Sequence, residues 1–418
     1  MRFAHISDCH LGAWQHNDEL REMNLQAFLG AMDICQTQDV AFVLIAGDLF
    51  HNPTPDLDTV EAAVKKMREL RDSGTQFYMI LGSHDYNPNA KTIADILDRT
   101  GFITTLVNDQ RHDKTTLMPV RDPKTGAIIA GVSGRRKGED AQDFRRLDAS
   151  RVWRQEGLRI FAFHNYVTGI APSEIPGIPG ISVEDLPRHF SYYAGGHAHN
   201  PRSRREDRPG YRNIVFPGAL FGSRPGDLEE TANGRRRGFF IVTADGQEIT
   251  DVEFCDVQVG RFVSVSLDLE GLAVEDARDF VQKRLEEVDV AEGVLIIRLQ
   301  GRLSSGRAYE LHFRELERSL IDAGARTVLI DRRGLAGELP EVAHIERSIA
   351  DIEEAELETA LRDCQFAVPS LNVPHGLILA KELLRELGEE RPEGETKTAY
   401  EARLVERGKA LVDREVFQ

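Results

Sequence analysis

Short apolar runs alternate with polar punctuation through the first half of the chain. Residues 3–6, 40–46, 77–81, 160–163 and 192–194 each read as a buried β-strand. Between the first three, apolar residues recur at helical spacing: Met23, Ala27, Phe28, Ala31, Met32 and Ile34, then Leu57, Val60, Val64, Met67 and Leu70. Strand and helix alternate, the order of an α/β fold. From about residue 111 the helical spacing thins out. Strands near Ile128, Ile160, Tyr192, Ile214, Phe239 and Val252 predict a second sheet packed on the first.

After Cys255 the pattern restarts as strand 263–269, helix 274–288, strand 294–299, helix 309–323 and strand 327–330, a small α/β module. Gly334, Gly337 and Pro340 break regular structure and predict a linker. The rest reads as helices over 351–364, 375–387 and 396–412. Leu379, Leu383, Leu384 and Leu387, then Leu404, Val405, Leu411 and Val412, form apolar stripes on these charged helices. A hairpin this small buries little by itself, so it is expected to grip a partner helix or coiled coil. A chain of 418 residues exceeds one compact domain, and the expected divisions are 1–255, 256–332, a linker over 333–350, and 351–418.

Polar strings follow the strands of the first half: Asp8-Cys9-His10, Gly47-Asp48-Leu49-Phe50-His51, Gly82-Ser83-His84-Asp85, the lone His164, and Gly196-His197-Ala198-His199. In an α/β sheet these strand ends are where ligands bind. Any one string has a bland reading. A single Asp-x-His is more often a hydrogen-bonded turn, and a lone buried histidine more often a core residue. Five in one order point instead to a two-metal phosphoesterase site. In-line attack on a phosphodiester needs an activated water and neutralised oxygens, which two cations about 3.5 to 4 Å apart supply. One carboxylate must bridge them, and Asp48, ending the most apolar strand, is the natural choice because a free carboxylate there is costly without a positive partner. Asp8 and His10, two apart on an extended segment, are expected to point the same way, and so are His197 and His199. Mixed nitrogen and oxygen ligation suits manganese, iron or zinc better than calcium.

At these residues the chain resembles the calcineurin-like metallophosphoesterase superfamily over roughly residues 1–255. The wording of His5-Ile6-Ser7-Asp8-Cys9-His10-Leu11-Gly12 and Ala46-Gly47-Asp48-Leu49-Phe50-His51 is similar to DNA double-strand break repair nucleases of the SbcD or meiotic-recombination type, in an archaeal-like version. The resemblance implies a layered β-sandwich flanked by helices, with the small α/β module as a capping domain that orients DNA. It implies one metal held by Asp8, His10, Asp48 and His199, and a second held by Asp48, His164, His197 and Ser83. Ser83 stands where the family has Asn, and a hydroxyl is the poorer ligand. His84 is implied to stabilise or protonate the leaving oxygen, with Asp85 orienting its ring, while His51 is placed to touch the phosphate or to lie behind the ligands. Exonuclease and endonuclease activity, two divalent ions with Mn²⁺ first, a homodimer through helices of the first half, and a terminal helix pair bound to an SMC-like coiled-coil ABC ATPase complete what it implies. The chain has no Gly-x-x-x-x-Gly-Lys phosphate loop, so ATP dependence is expected from another subunit.

A net charge of -17 argues at first against a nucleic-acid partner. The distribution tells otherwise: Arg135-Arg136-Lys137, Arg145-Arg146, the run Arg202, Arg204, Arg205, Arg208 and Arg212, and Arg235-Arg236-Arg237 fall in the phosphoesterase region. Arg202, Arg204 and Arg205, close behind His199, are expected at the site mouth on DNA backbone. No apolar run reaches the length of a membrane span, and the start has no secretory pattern, so a cytoplasmic protein is expected. Cys9, Cys35, Cys255 and Cys364 lack Cys-x-x-Cys spacing and read as thiols. Two rivals remain: a phosphodiesterase for cyclic nucleotides or other small molecules, and a catalytically weak DNA-end tether.

Overall fold

The computed structural model describes residues 1–87, 91–111, 114–134, 140–171, 180–204, 210–337, 371–388 and 397–416, with isolated positions between 357 and 368. Met1–Glu338 forms one compact unit and Leu339–Gln418 another.

The first unit is built on two six-stranded sheets. One runs in the order Glu248–Asp256, Gly238–Asp245, Arg2–Ile6, Phe42–Ala46, Gln76–Ile80, Thr104–Thr105. The other runs Arg202–Arg204, Ile214–Phe216, Tyr192–Gly196, Arg159–His164, Ile128–Val132, Val120–Arg121. Side chains alternate across each strand. Phe3, Phe42, Leu44 and Ile80 therefore meet Ile129, Ile160, Tyr192 and Ala194 between the sheets. Ala4, Ile6, Val43 and Ile45 turn outward onto helices Asp18–Thr37 and Leu57–Asp72. On the far side Phe161, Phe163 and Tyr193 are covered by Phe144 and Val152. Burial on both faces is why these strands read as unbroken apolar runs, and the result is the expected layered sandwich.

The two strands near Phe239 and Val252 were expected in the second sheet. Gly238–Asp245 instead pairs antiparallel with Arg2–Ile6, Arg2 opposite Thr243, and Glu248–Asp256 follows it in the first sheet. Hydrophobic pattern marks a strand but not its neighbour. The open edge of Arg2–Ile6 needed pairing.

In the small α/β module after Cys255, Gly293–Arg302 lies between Arg261–Asp268 and Thr327–Ala336, all parallel. Helices Val274–Glu286 and Phe313–Asp322 close a separate core around Val281, Leu285, Leu295, Leu299 and Leu320. The opposite face sends Val294 and Ile296 into the core shared with helix Asp18–Thr37, and the Phe221 and Phe262 rings meet at 5.8 Å. The last strand runs through the expected start of the linker: Gly334, Leu335 and Ala336 pair with Gln300, Gly301 and Arg302. A neighbour's hydrogen bonds hold a glycine in a strand that its propensity alone would not.

In the second unit, helices His375–Leu387 and Lys397–Val416 lie antiparallel, with Arg407 3.3 Å from Glu386 and Arg414 2.5 Å from Glu382. Leu384 and Val405 are more than half exposed, at 57% and 56%. The expected 351–364 helix and most of the linker lie outside the described residues. No described helix is long and apolar enough to cross a membrane.

Candidate metal centre

Strands Arg2–Ile6, Phe42–Ala46, Gln76–Ile80, Arg159–His164 and Tyr192–Gly196 run parallel within their sheets, and each leads to one of the polar strings. Past Ile6 and Ala46 the two chains stay paired: Asp8 N donates to Gly47 O at 3.0 Å, and His10 N to Asp48 O at 3.0 Å. They do so with turned rather than extended backbone. Asp8, His10, Asp48 and His197 have φ of 51°, 46°, 53° and 84°. The extended Asp8-to-His10 segment expected from sequence is therefore absent, and the left-handed turns themselves aim the side chains inward. Non-glycine residues in this region cost about 1–3 kcal/mol each and persist where surroundings over-determine them.

Two groups of ligand atoms result. Asp8, His10 and His199 each present an atom within 4.8 Å of the others, and so do Asp48, His164 and His197. His197 and His199 diverge, one to each group. His10 Nε2 faces His199 Nε2 at 3.2 Å, and His197 Nδ1 faces His164 Nε2 at 3.2 Å. Asp48 stands between the groups. Its Oδ2 is 3.2 Å from His164 Nε2 and 3.8 Å from His10 Nε2, whereas Oδ1 accepts the His84 amide at 2.8 Å. One oxygen, rather than one for each cation, faces both groups. Ser83 Oγ lies 3.5 Å from that same oxygen.

The glycines of the strings are there because nothing larger fits. A Cβ on Gly82 would stand 2.1 Å from Asp48 Oδ1. One on Gly47, at φ of 89°, would stand 2.4 Å from His164 Nδ1.

The outer face of most rings is also tied. His164 Nδ1 is 2.8 Å from Ala46 O, and His84 Nδ1 is 2.7 Å from His51 O. A carbonyl only accepts, so both rings carry a proton on Nδ1 and turn Nε2 toward the site. Tyr166 packs on His197 with ring centres 4.3 Å apart. His51 stacks on His84 at 4.9 Å and brings Nδ1 within 3.4 Å of His10 Nδ1, so His10, His51 and His84 form a third close group.

Burial works against charge throughout. It pushes the Asp8 carboxyl up to about 6 and the His197 ring down to about 3, and it takes His10 well below the usual histidine range. Burial would lower His164 too, but the charge of Asp48 and its hydrogen bond hold that ring up at about 10. Burial would raise Asp48, yet His164 and His10 keep it well below the usual carboxylate range. Facing imidazole nitrogens around buried carboxylates are a donor set that suits two divalent cations.

Residues 1–201 match the family described as Calcineurin-like phosphoesterase. The chain carries a calcineurin-like phosphoesterase domain. Beyond this domain the likeness continues. A DNA double-strand break repair protein Mre11 of Methanopyrus kandleri is 25% identical over 404 residues, covering 94% of this chain and 84% of its own. Proteins of the same name are 24% identical in Archaeoglobus fulgidus, over 76% of this chain and 73% of theirs, and 28% in Thermoplasma acidophilum, over 68% and 71%. The phosphoesterase is a metal-dependent hydrolase with a candidate dimetal centre.

In this phosphoesterase domain Asp85 does not orient His84. Its buried carboxylate accepts the amides of Phe50 at 3.0 Å, Gly82 at 3.0 Å and Leu49 at 3.3 Å, and His51 O takes the ring instead. Adjacent residues in the turn point to opposite sides, so His84 faces the site and Asp85 the floor beneath Asp48. Asp227 was missed by sequence reasoning. It accepts from His199 Nδ1 at 3.0 Å, from helix Pro225–Ala232. A proline followed by an acidic residue reads simply as a helix start, which hid it.

The arginine clusters divide. Arg237 is buried and donates to His199 O at 2.7 Å, Arg236 pairs with Asp256, and Arg235 lies 3.9 Å from Glu230. Arg145 pairs with Asp185 at 3.1 Å. Arg212 sits beside His189, Ser191 and Gln247, at the strand end opposite His197, so it does not belong to the mouth. Arg202 is exposed on the edge strand Arg202–Arg204. Arg205, Arg208 and Arg135-Arg136-Lys137 lie outside the described residues.

Proposed function

We propose that this chain is a dimetal-dependent DNA nuclease that processes double-strand breaks by hydrolysing phosphodiesters, with exonuclease and endonuclease activity. The observation that carries the reading is the pairing of Asp8, His10 and His199 with Asp48, His164 and His197 around one shared oxygen, beside an inward-turned His84. The catalytic geometry alone would serve a small phosphodiester equally well. Favouring DNA is an alignment over 94% of the chain, far more than the phosphoesterase domain, to a protein named for DNA double-strand break repair.

One cation would be held by Asp8, His10, Asp48 and His199, the other by Asp48, His164, His197 and Ser83, with Mn²⁺ the first candidate. Two such cations supply an activated water and neutralise charge on the attacked and leaving oxygens. His84, as the imidazolium whose Nδ1–H is held by the His51 carbonyl, would give its Nε2 proton to the leaving oxygen. His51 adds a donor beside the same phosphate. Arg202, Arg204 and Arg205 track the DNA backbone, where phosphate contacts position the substrate. The apolar stripes of the terminal helices, with Leu384 and Val405 exposed, fit the base of an SMC-like coiled-coil ABC ATPase. The working assembly is a homodimer in the cytoplasm.

Linear double-stranded DNA and a chromogenic phosphodiester, each incubated with Mn²⁺, test the reading. Cleavage of DNA that His84→Ala lowers at least a hundredfold is expected. Turnover of the chromogenic ester with intact DNA would assign a small-molecule phosphodiesterase, and cutting untouched by His84→Ala would leave a tether.

A further inference from the structure

His199 is held at both ends, at the ring by Asp227 of helix Pro225–Ala232 and at the main chain by Arg237, which is itself tied to that helix. At the ring, Asp227 Oδ2 accepts from Nδ1 at 3.0 Å while also accepting the amides of Ser223 at 2.9 Å and Arg224 at 3.1 Å. At the main chain, Arg237 donates to His199 O at 2.7 Å and to Asp227 O at 2.6 Å. The carboxylate is 3% exposed, and Gly222 packs so closely that an added Cβ there would stand 2.6 Å from Asp227 Cβ. Rings of the other group have different outer partners, Ala46 O for His164 and Tyr166 for His197.

A second group competes for the same nitrogen. Arg224 places a guanidinium nitrogen 3.2 Å from His199 Nδ1 and 3.4 Å from Asp227 Oδ1. Carboxylates accept and guanidinium groups only donate. With Asp227 present, the Nδ1 proton points at the carboxylate and Nε2 offers its lone pair to the Asp8 and His10 side. Without Asp227, the Arg224 donor faces Nδ1 directly. The ring proton then moves to Nε2, and the lone pair turns away from the site.

We propose that Asp227 is a positioning residue for the cation at Asp8, His10 and His199 alone, acting by holding the His199 proton on Nδ1 against Arg224. This inference rests on the dimetal reading above. Partners of this kind are typically worth about 10- to 100-fold in metal affinity.

The test is Mn²⁺ binding to the full chain by calorimetry, with electron paramagnetic resonance reporting whether bound ions are spin-coupled. The parent should take two equivalents and show a coupled pair. Asp227→Ala should keep one equivalent at parental affinity, lose about 10- to 100-fold at the other, and show the six-line signal of an isolated ion at one equivalent. Asp227→Asn, whose amide oxygen still accepts, should retain most of the affinity. Asp227→Ala combined with Arg224→Ala should recover much of the loss, which a purely structural role for Asp227 would not produce. Two equivalents at parental affinity in Asp227→Ala, or loss at both sites without recovery in the double variant, overturns the role of Asp227. A parent that binds fewer than two equivalents overturns the dimetal reading, and this inference with it.

Discussion

His84 Nδ1 lies 2.7 Å from the main-chain carbonyl oxygen of His51, so the inward direction of its ring is set by backbone. A main-chain acceptor cannot be mutated away. His84→Gln should therefore lower the rate of phosphodiester cleavage by about 10²–10⁴, the usual contribution of a positioned proton donor, while two equivalents of metal remain bound. Single-turnover kinetics together with metal analysis check this.

Asp85 should answer a different assay. Its carboxylate caps the amides of Leu49, Phe50 and Gly82 beneath the site. Asp85→Ala leaves buried donors unpaired at about 1–3 kcal/mol each. A lower urea midpoint at unchanged slope is expected, larger than any direct effect on proton donation.

Asp48→Ala should release both cations, since one of its oxygens faces His10 at 3.8 Å and His164 at 3.2 Å. His10→Ala should release one. Plasma emission analysis of dialysed protein counts the equivalents.

Metal uptake should also depend on pH. Burial lowers the His164 pKa, but Asp48 outweighs it and holds the metal-free ring up at about 10. At pH 7 the ring is therefore protonated, and a cation must displace that proton. Affinity at Asp48, His164 and His197 should rise between pH 7 and 9, with proton release visible as a buffer-dependent binding enthalpy.

Removing residues 370–418 takes away helices His375–Leu387 and Lys397–Val416 from a unit separate from the catalytic one. Hydrolysis of small phosphodiesters should persist and co-purification with a coiled-coil ATPase should cease.

Much of this was legible in the sequence for a physical reason. Strands covered on both faces announce themselves as apolar runs, and the polar residue that ends such a run has few bland explanations, as at Asp48. What escaped reading depends on partners far along the chain. Asp227 resembles any helix-starting acid until His199 is placed beside it. Gly238–Asp245 carries no mark of the sheet it joins. Arg235, Arg236 and Arg237 look like a cationic patch, yet Glu230, Asp256 and the His199 carbonyl take them up.

Each cage draws side chains from both halves of the sandwich: Asp8 and His10 follow a strand of one sheet and His199 a strand of the other, as Asp48 does against His164 and His197. Cations bound there would rivet the two layers together. Ligation that exists only in the assembled state adds about 2.7 kcal/mol at a hundredfold excess over Kd for each independent site. A chelator should accordingly lower the melting temperature of the whole catalytic unit, and the sheets should come apart together.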